Sequence, residues 1–384
     1  MNIKTCHLCH ANDIYVFYNF SSLYQVTSDC KPWHLGGELI LCKHCQTVQK
    51  TSNENFQADI NTIYQKYDIY HQSKGNEQRG FDQLTGVSSG RTQLIVKWLL
   101  NHKLLADSGY MLDIGCGSGN LLDSFSSAYP QWQVSGFEIN DKHRLAIENK
   151  YQENSFYSGS LDTIERKFNL IALIHTLEHI SSPAEVLNRI YNKLVNKGRL
   201  LIAVPNFTKN PFDLLIADHC THFTQDTLIK LLHENGFMVI NQLKDELTKE
   251  VILIAEKTSS NNCISKAVTS EALTGIVNKQ IEWLIKITKQ THILGKKEKF
   301  GVFGTAIAAN WLLGFESEQI AFFLDEDPNR INTQLENKPV YHPSDHAFDH
   351  NIPILLPFAP STAKEIAQRL KLYHINCVLP ADIL

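Results

Sequence analysis

Leu112-Asp113-Ile114-Gly115-Cys116-Gly117-Ser118-Gly119 is the stretch on which the fold of this chain turns. An apolar run from Tyr110 to Ile114 ends in glycines at alternate positions and passes into a helical pattern over Asn120 to Ser127. Glycine adopts backbone conformations closed to other residues and lets a ligand approach the main chain. A strand, a glycine turn and a helix N-terminus in succession present free N–H groups to a nucleotide-like molecule. The dinucleotide fingerprint needs its third glycine at position 120, where this chain has Asn120, and a dinucleotide is therefore the weaker expectation.

The next predicted strand, Gln133 to Glu138, ends in a carboxylate placed to accept hydrogen bonds from both hydroxyls of a ribose. Asp113 adds a second carboxylate inside the turn, where the ammonium of a cationic ligand would sit. Two acids and no cradle for a pyrophosphate favour an adenosyl sulfonium, so the expected cofactor is S-adenosylmethionine.

Outward from the turn the chain alternates. Strands are expected at Leu170 to Ile174 and Arg199 to Val204, and near Phe237 to Leu243 and Glu250 to Ala255. Helices are expected at Thr92 to Leu105, Asp141 to Asn149, Pro183 to Leu194 and Gln225 to Glu234. This alternation predicts a Rossmann-like, doubly wound α/β domain with a parallel sheet. Ser259-Ser260-Asn261-Asn262 reads as a break, residues 265 to 292 as helical, and Phe300 onward as a second β-α-β pattern. The expected units are a zinc module with a connecting arm (1–75), the cofactor-binding domain (76–258), a helical linker (259–298) and a C-terminal Rossmann-like domain (299–384).

Five of the nine cysteines fall before residue 46. Cys6/Cys9 and Cys42/Cys45 are two Cys-x-x-Cys turns, which together supply the four thiolates of a closed, structural zinc site. The arm that follows carries Tyr64, Tyr67 and Tyr70 at three-residue spacing, a stripe that reads as packing or as a cover over the binding face.

A formal net charge of −4 gives no broad electrostatic reason to seek nucleic acid. The start of the chain lacks the apolar core of a signal peptide, and apolar runs such as Val251 to Ala255 are too short to cross a bilayer. The expectation is a cytoplasmic protein with a small-molecule partner and no membrane.

Three further segments, Phe137-Glu138-Ile139, Phe168-Asn169-Leu170-Ile171 and Leu177-Glu178-His179-Ile180, complete a resemblance over residues 90 to 256. With the glycine turn they resemble the successive motifs of class I S-adenosylmethionine-dependent methyltransferases. The resemblance implies that Asp113, Gly115, Cys116, Gly117, Gly119, Glu138 and Ile139 hold the cofactor. It further implies that Leu161 and Asp162 flank the adenine and that the strand end at His175 faces the methyl donor.

For the acceptor, the order of a cysteine module, a methyltransferase core and a second α/β domain resembles the sugar C-methyltransferases acting on nucleotide-linked deoxysugars. That resemblance implies His219 as base, with Asp218, His222 and His179 as further catalytic candidates. Asp218 stands where the family pattern has Glu, one methylene longer. The set His175, Glu178, His179 and His219 is also similar to the metal site of metal-dependent O-methyltransferases, including those acting on RNA ends, which leaves metal-assisted O-methylation as a second reading. A non-catalytic module that keeps the cofactor fold is the third. In the C-terminal part, Gly301 to Ala306 resembles a degenerate Rossmann half, and the helix opened by Pro360-Ser361-Thr362 either meets an anion at its N-terminus or is capped by Ser361.

Overall fold

The computed structural model describes residues 4–68, 79–81, 88–244, 247–258 and 269–380. Tyr70, the polar run after it and the break at 259 to 262 lie outside the described residues.

The central sheet has seven strands in the order Phe156–Ser158, Trp132–Glu138, Gly109–Ile114, Phe168–Ile174, Leu194–Pro205, Glu250–Lys257, Phe237–Leu243. Gly109–Ile114 lies at the point where strand order reverses, which sets the glycine turn in the crevice at the sheet's carboxyl edge. Five neighbouring strands are parallel, as the alternating pattern requires. Glu250–Lys257 runs antiparallel to both of its neighbours, so the sheet is mixed rather than wholly parallel. The reason is local. Phe237–Leu243 and Glu250–Lys257 are joined by a short connection, and a parallel pair would need a crossover of a dozen residues or more.

Apolar side chains cover both faces of this sheet. Leu112, Ile171, Leu173, Leu200 and Ile202 pack with Leu187, Ile190 and Leu228 on one side. Met111, Val134, Leu170 and Leu201 pack with Ile95, Leu99, Leu122 and Phe125 on the other.

A second sheet is built from the first fifty residues and one distant segment. Its order is Ile14–Val16, Leu39–Cys42, Val48–Lys50, Thr221–His222, with the last pair antiparallel in the register Thr221 to Gln49 and His222 to Val48. The sequence pattern predicts no strand at Thr221. A two-residue strand has no period of its own and forms only because an edge is waiting for it.

The C-terminal sheet has the order Gln334–Leu335, Lys338–Tyr341, Ile320–Leu324, Phe300–Phe303, Ile354–Leu355, Cys377–Val378. The long helix Ser270–Lys297 precedes it and buries Leu273, Val277, Trp283 and Leu284. These join Phe17, Phe20, Leu23, Phe212, Trp311 and Phe323 in one apolar cluster, which binds the N-terminal segment, the 207–216 segment and the C-terminal sheet together. Trp311 Nε1 donates to the Tyr24 carbonyl at 3.0 Å across this junction.

Candidate active site

The glycine turn follows its strand with left-handed backbone at Gly115 (φ 76°), Gly117 (φ 51°) and Gly119 (φ 90°). At Gly115 a side chain would also collide with Thr176 on the neighbouring strand end. Cys116 is buried beneath the turn, where Gly136 leaves room for its sulfur. Gly119 precedes the helix Asn120–Ala128, which has no side-chain cap at its N-terminus. Glu138 accepts the Gly117 N–H at 2.9 Å and the Ile139 N–H at 3.1 Å, so the acid and the turn form one unit.

Asp113 is buried, and its Oδ1 has no hydrogen-bond partner. Burial, and then the charge of Glu138, push its carboxyl well above the usual range. A cationic ligand supplies the partner that this buried acid lacks, and the residues fit a sulfonium cofactor on that observation. Ile139 is 68% exposed at the rim, an apolar surface suited to a flat base. Leu161 and Asp162 lie in the turn after the edge strand Phe156–Ser158, Leu161 buried and Asp162 exposed.

His175 follows the strand Phe168–Ile174. Its Nδ1 lies 3.3 Å from Glu178 and its Nε2 3.1 Å from Glu250, and Glu250 also pairs with Arg91 at 2.7 Å. Burial and Arg91 act to lower the affinity of this imidazole for a proton, but the two carboxylates outweigh them and raise it. His175 is thereby held as one member of a partly buried ionic cluster at the strand end.

Two of the acceptor candidates, His219 and His222, meet at a residue that the sequence does not single out. Asp213, in the short turn Pro211–Leu215, is buried, with Oδ1 2.8 Å from His219 Nδ1 and Oδ2 2.8 Å from His222 Nδ1. Burial raises the pKa of Asp213, yet the two imidazoles outweigh it and hold the carboxyl well below its ordinary range. A carboxylate on Nδ1–H places the lone pair of a neutral imidazole on Nε2. With Nδ1 on Asp213, the free ring nitrogen of His219 is Nε2. His222 is fully enclosed, and burial brings its pKa down to about 4 despite Asp213.

Asp218, taken from the sequence as a catalytic partner of His219, faces elsewhere. It is fully buried and accepts hydrogen bonds from the Ser28 N–H at 2.8 Å and the Ser28 hydroxyl. His179 Nδ1 lies 3.2 Å from its Oδ2. Burial lowers the pKa of His179, but Asp218 outweighs burial and brings it up to about 9, so His179 is a cation at neutral pH. The rings of His179 and His219 meet edge to face with centroids 4.6 Å apart. Tyr64 meets His179 edge to face at 6.4 Å, and the Tyr67 hydroxyl lies 3.2 Å from the Ser28 hydroxyl, which puts two members of the tyrosine stripe at the site. Glu178, also buried, has no hydrogen bond to either carboxylate oxygen. Glu178, His179 and His219 each offer a ligand atom within 4.8 Å of the other two.

The four thiols of Cys6, Cys9, Cys42 and Cys45 lie within 4.8 Å of one another, with Cys6 to Cys45 and Cys9 to Cys42 at 3.5 Å. The Leu8 N–H points at the Cys6 sulfur at 3.3 Å, an amide-to-sulfur contact that suits a thiolate. Zinc with sulfur ligands at about 2.3 Å needs thiolates at roughly this mutual spacing.

In the C-terminal sheet, strand order reverses at Phe300–Phe303, and its turn Gly304-Thr305-Ala306 meets Phe358 across the crevice. Arg330 NH1 donates to the Thr305 hydroxyl at 2.7 Å, while its buried Nε has no hydrogen bond. Lys249, from the central domain, lies 5.9 Å from the Phe358 ring. The helix Pro360–Leu370 has Ala359 at its N-cap and no side-chain cap, so Ser361 does not cap it and the first-turn N–H groups stay open.

Residues 89–242 match a family model described as a methyltransferase domain. No curated protein matches the chain. Among solved structures, an S-adenosylmethionine-dependent methyltransferase from Methanosarcina mazei is 18% identical, with 41% of this chain and 97% of that chain covered and a TM-score of 0.34. Another, from Clostridium acetobutylicum, is 12% identical over 53% of this chain and 98% of that chain, with a TM-score of 0.37. The match over 89–242 contains the glycine turn, Glu138 and the whole segment from His175 to His222. Among the described residues no helix is long and apolar enough to cross a membrane.

Proposed function

We propose that the chain methylates a sugar carried on a nucleotide or another polysaccharide precursor, with S-adenosylmethionine as donor, His219 as base and a structural zinc ion on the four cysteines. The observation that carries this reading is the pair of imidazoles fixed by separate carboxylates, His219 by Asp213 and His179 by Asp218.

Bound at the glycine turn, the cofactor would supply an electrophilic methyl group. Asp113, the turn N–H groups and Glu138 orient it. His219 Nε2 takes the proton from the acceptor, a hydroxyl or a carbon beside a keto group, and Asp213 stabilises the imidazolium that results. His179, already cationic beside Asp218, offers positive charge to the oxygen on which negative charge develops. Its burial makes that charge count for more than it would in water.

Support for an anionic carrier on the acceptor comes from the C-terminal crevice. Arg330, Lys249, the Gly304 turn and the uncapped helix at Pro360 give cationic and N–H groups suited to phosphate, beside an aromatic ring suited to a base. Methyl transfer from labelled donor to a panel of nucleotide-linked sugars and keto-sugars tests the reading. Incorporation into one class is expected, and turnover on none of them overturns it.

The convergence of Glu178, His179 and His219 favours a second reading, metal-assisted O-methylation. Activity that disappears on chelation, with zinc still on the cysteines, would select this second reading.

A further inference from the structure

We infer that His7, beside the first cysteine of the four-thiol cluster, is a positioning residue for the His219 base and that metal occupancy of the cluster sets the base's geometry. This rests on the reading of His219 as base.

The loop from 213 to 222 is tied to the N-terminal segment along most of its length. Ala217 N donates to the Val26 carbonyl at 2.8 Å, and Ser28 holds Asp218. Lys50 N donates to the Cys220 carbonyl at 3.1 Å, while Thr221 and His222 pair with Gln49 and Val48 as the last strand of the N-terminal sheet. The methyltransferase domain adds its own hold through Cys220 N to the Glu178 carbonyl, at 2.8 Å.

His7 joins this loop to the cluster. Its Nε2 lies 2.8 Å from the Thr221 hydroxyl, and its backbone N–H donates to the Gln49 side chain at 3.0 Å. Gln49 is the register partner of Thr221, so His7 grips both strands at one point. From there the path is short: Thr221 precedes His222, His222 and His219 share Asp213, and Asp213 orients His219. Thr221 is completely buried, which leaves it no water to replace a lost partner. Cys6 is likewise buried, and a metal ion on it fixes the backbone that carries His7. The glycine turn makes no part of this path.

The test uses the full-length protein labelled with 15N-histidine. The side-chain Nδ1–H resonances of His219 and His222, bonded to Asp213, report the geometry, and calorimetry with S-adenosylmethionine reports the cofactor site. Removing zinc with a chelator is expected to shift or broaden both resonances, leave cofactor affinity within about twofold, and be reversed by added zinc. His7→Ala is expected to do the same with zinc in place, and His7→Gln, which restores a donor toward Thr221, to recover most of the signal. Should zinc loss or His7→Ala unfold the chain, Thr221→Val removes the link from the other side with the cluster untouched. Unchanged resonances in folded Thr221→Val and His7→Ala overturn the inference. Failure of the base assignment reads out separately, as full turnover by His219→Gln on the sugar panel with the resonance changes intact.

Discussion

The donor side and the acceptor side of this molecule are built on different principles. The cofactor turn and Glu138 sit at the ends of adjacent strands of one sheet, and their contact spans only 21 residues of chain. The acceptor cluster draws Ser28 and Tyr64 from the N-terminal segment, Glu178 and His179 from one strand end, and Asp213, Asp218, His219 and His222 from a later loop. A site made of local pieces survives damage elsewhere, whereas a site assembled from distant pieces inherits the stability of every element that delivers one.

The contrast can be broken most severely at the turn. Gly117→Arg demands a left-handed backbone from a bulky residue and fills the approach to the main chain, so it is expected to abolish S-adenosylmethionine binding by calorimetry while zinc content stays near one per chain. Normal binding by this variant would sink the cofactor assignment. Cys42→Ser is the reciprocal test, because the buried Cys42 supplies a thiolate that hydroxyl oxygen does not replace. The expected result is loss of zinc by metal analysis and a lowered Tm, with cofactor affinity retained in whatever fraction stays folded.

A sharper cut falls within the acceptor cluster. Asp213→Asn keeps the shape but removes the charge that orients and stabilises His219, and turnover is expected to fall about 100-fold, the lower range for loss of general-base function, with cofactor affinity unchanged. An Asp213→Asn enzyme with full turnover would show that His219 is not the base.

The smallest expected effect is a pair of opposing pH dependences. His179, raised from 6.5 to about 9, contributes stability that is complete below pH 6.5 and is lost as pH rises through 9. Lys50, buried against the Phe20 ring and donating to Gln25, is brought by burial from 10.5 down to about 7. Its unfolded form binds the extra proton, so stability rises with pH between 7 and 10.5. Each contributes at most about 1.4 kcal/mol per pH unit, and between pH 7 and 9 the two offset each other. Denaturant titrations of Lys50→Met should show stability falling across that window where the parent stays flat, and an identical profile in both proteins would remove Lys50 from the account.

The same contrast explains what could be read before the fold was known. The strand, three glycines and Glu138 form a pattern because backbone sterics allow little else at those positions, and the paired Cys-x-x-Cys spacing reflects the shape of a turn that brings thiols together. Asp213 left no such trace. It follows Pro211 in a non-periodic turn, and nothing local distinguishes an acid that bridges two histidines from one that faces water. The partners of Asp218 were equally illegible, since adjacency to His219 along the chain sends the two side chains in different directions, one toward Ser28 and the other toward Asp213. The antiparallel Glu250–Lys257 strand escaped because its apolar run is the same in either direction.

The apolar cluster that joins Phe17, Phe20 and Leu23 to Trp283, Trp311 and Phe323 bears on how the chain is made. At ribosomal rates of about 5–20 residues per second, the first of these aromatic rings waits on the order of tens of seconds for the last to emerge. During synthesis the N-terminal segment therefore has its cysteines in hand but not its apolar partners. Early metal capture would keep that segment ordered through the interval, and cells short of zinc would be expected to accumulate nascent chains with Phe17 and Phe20 open to chaperones.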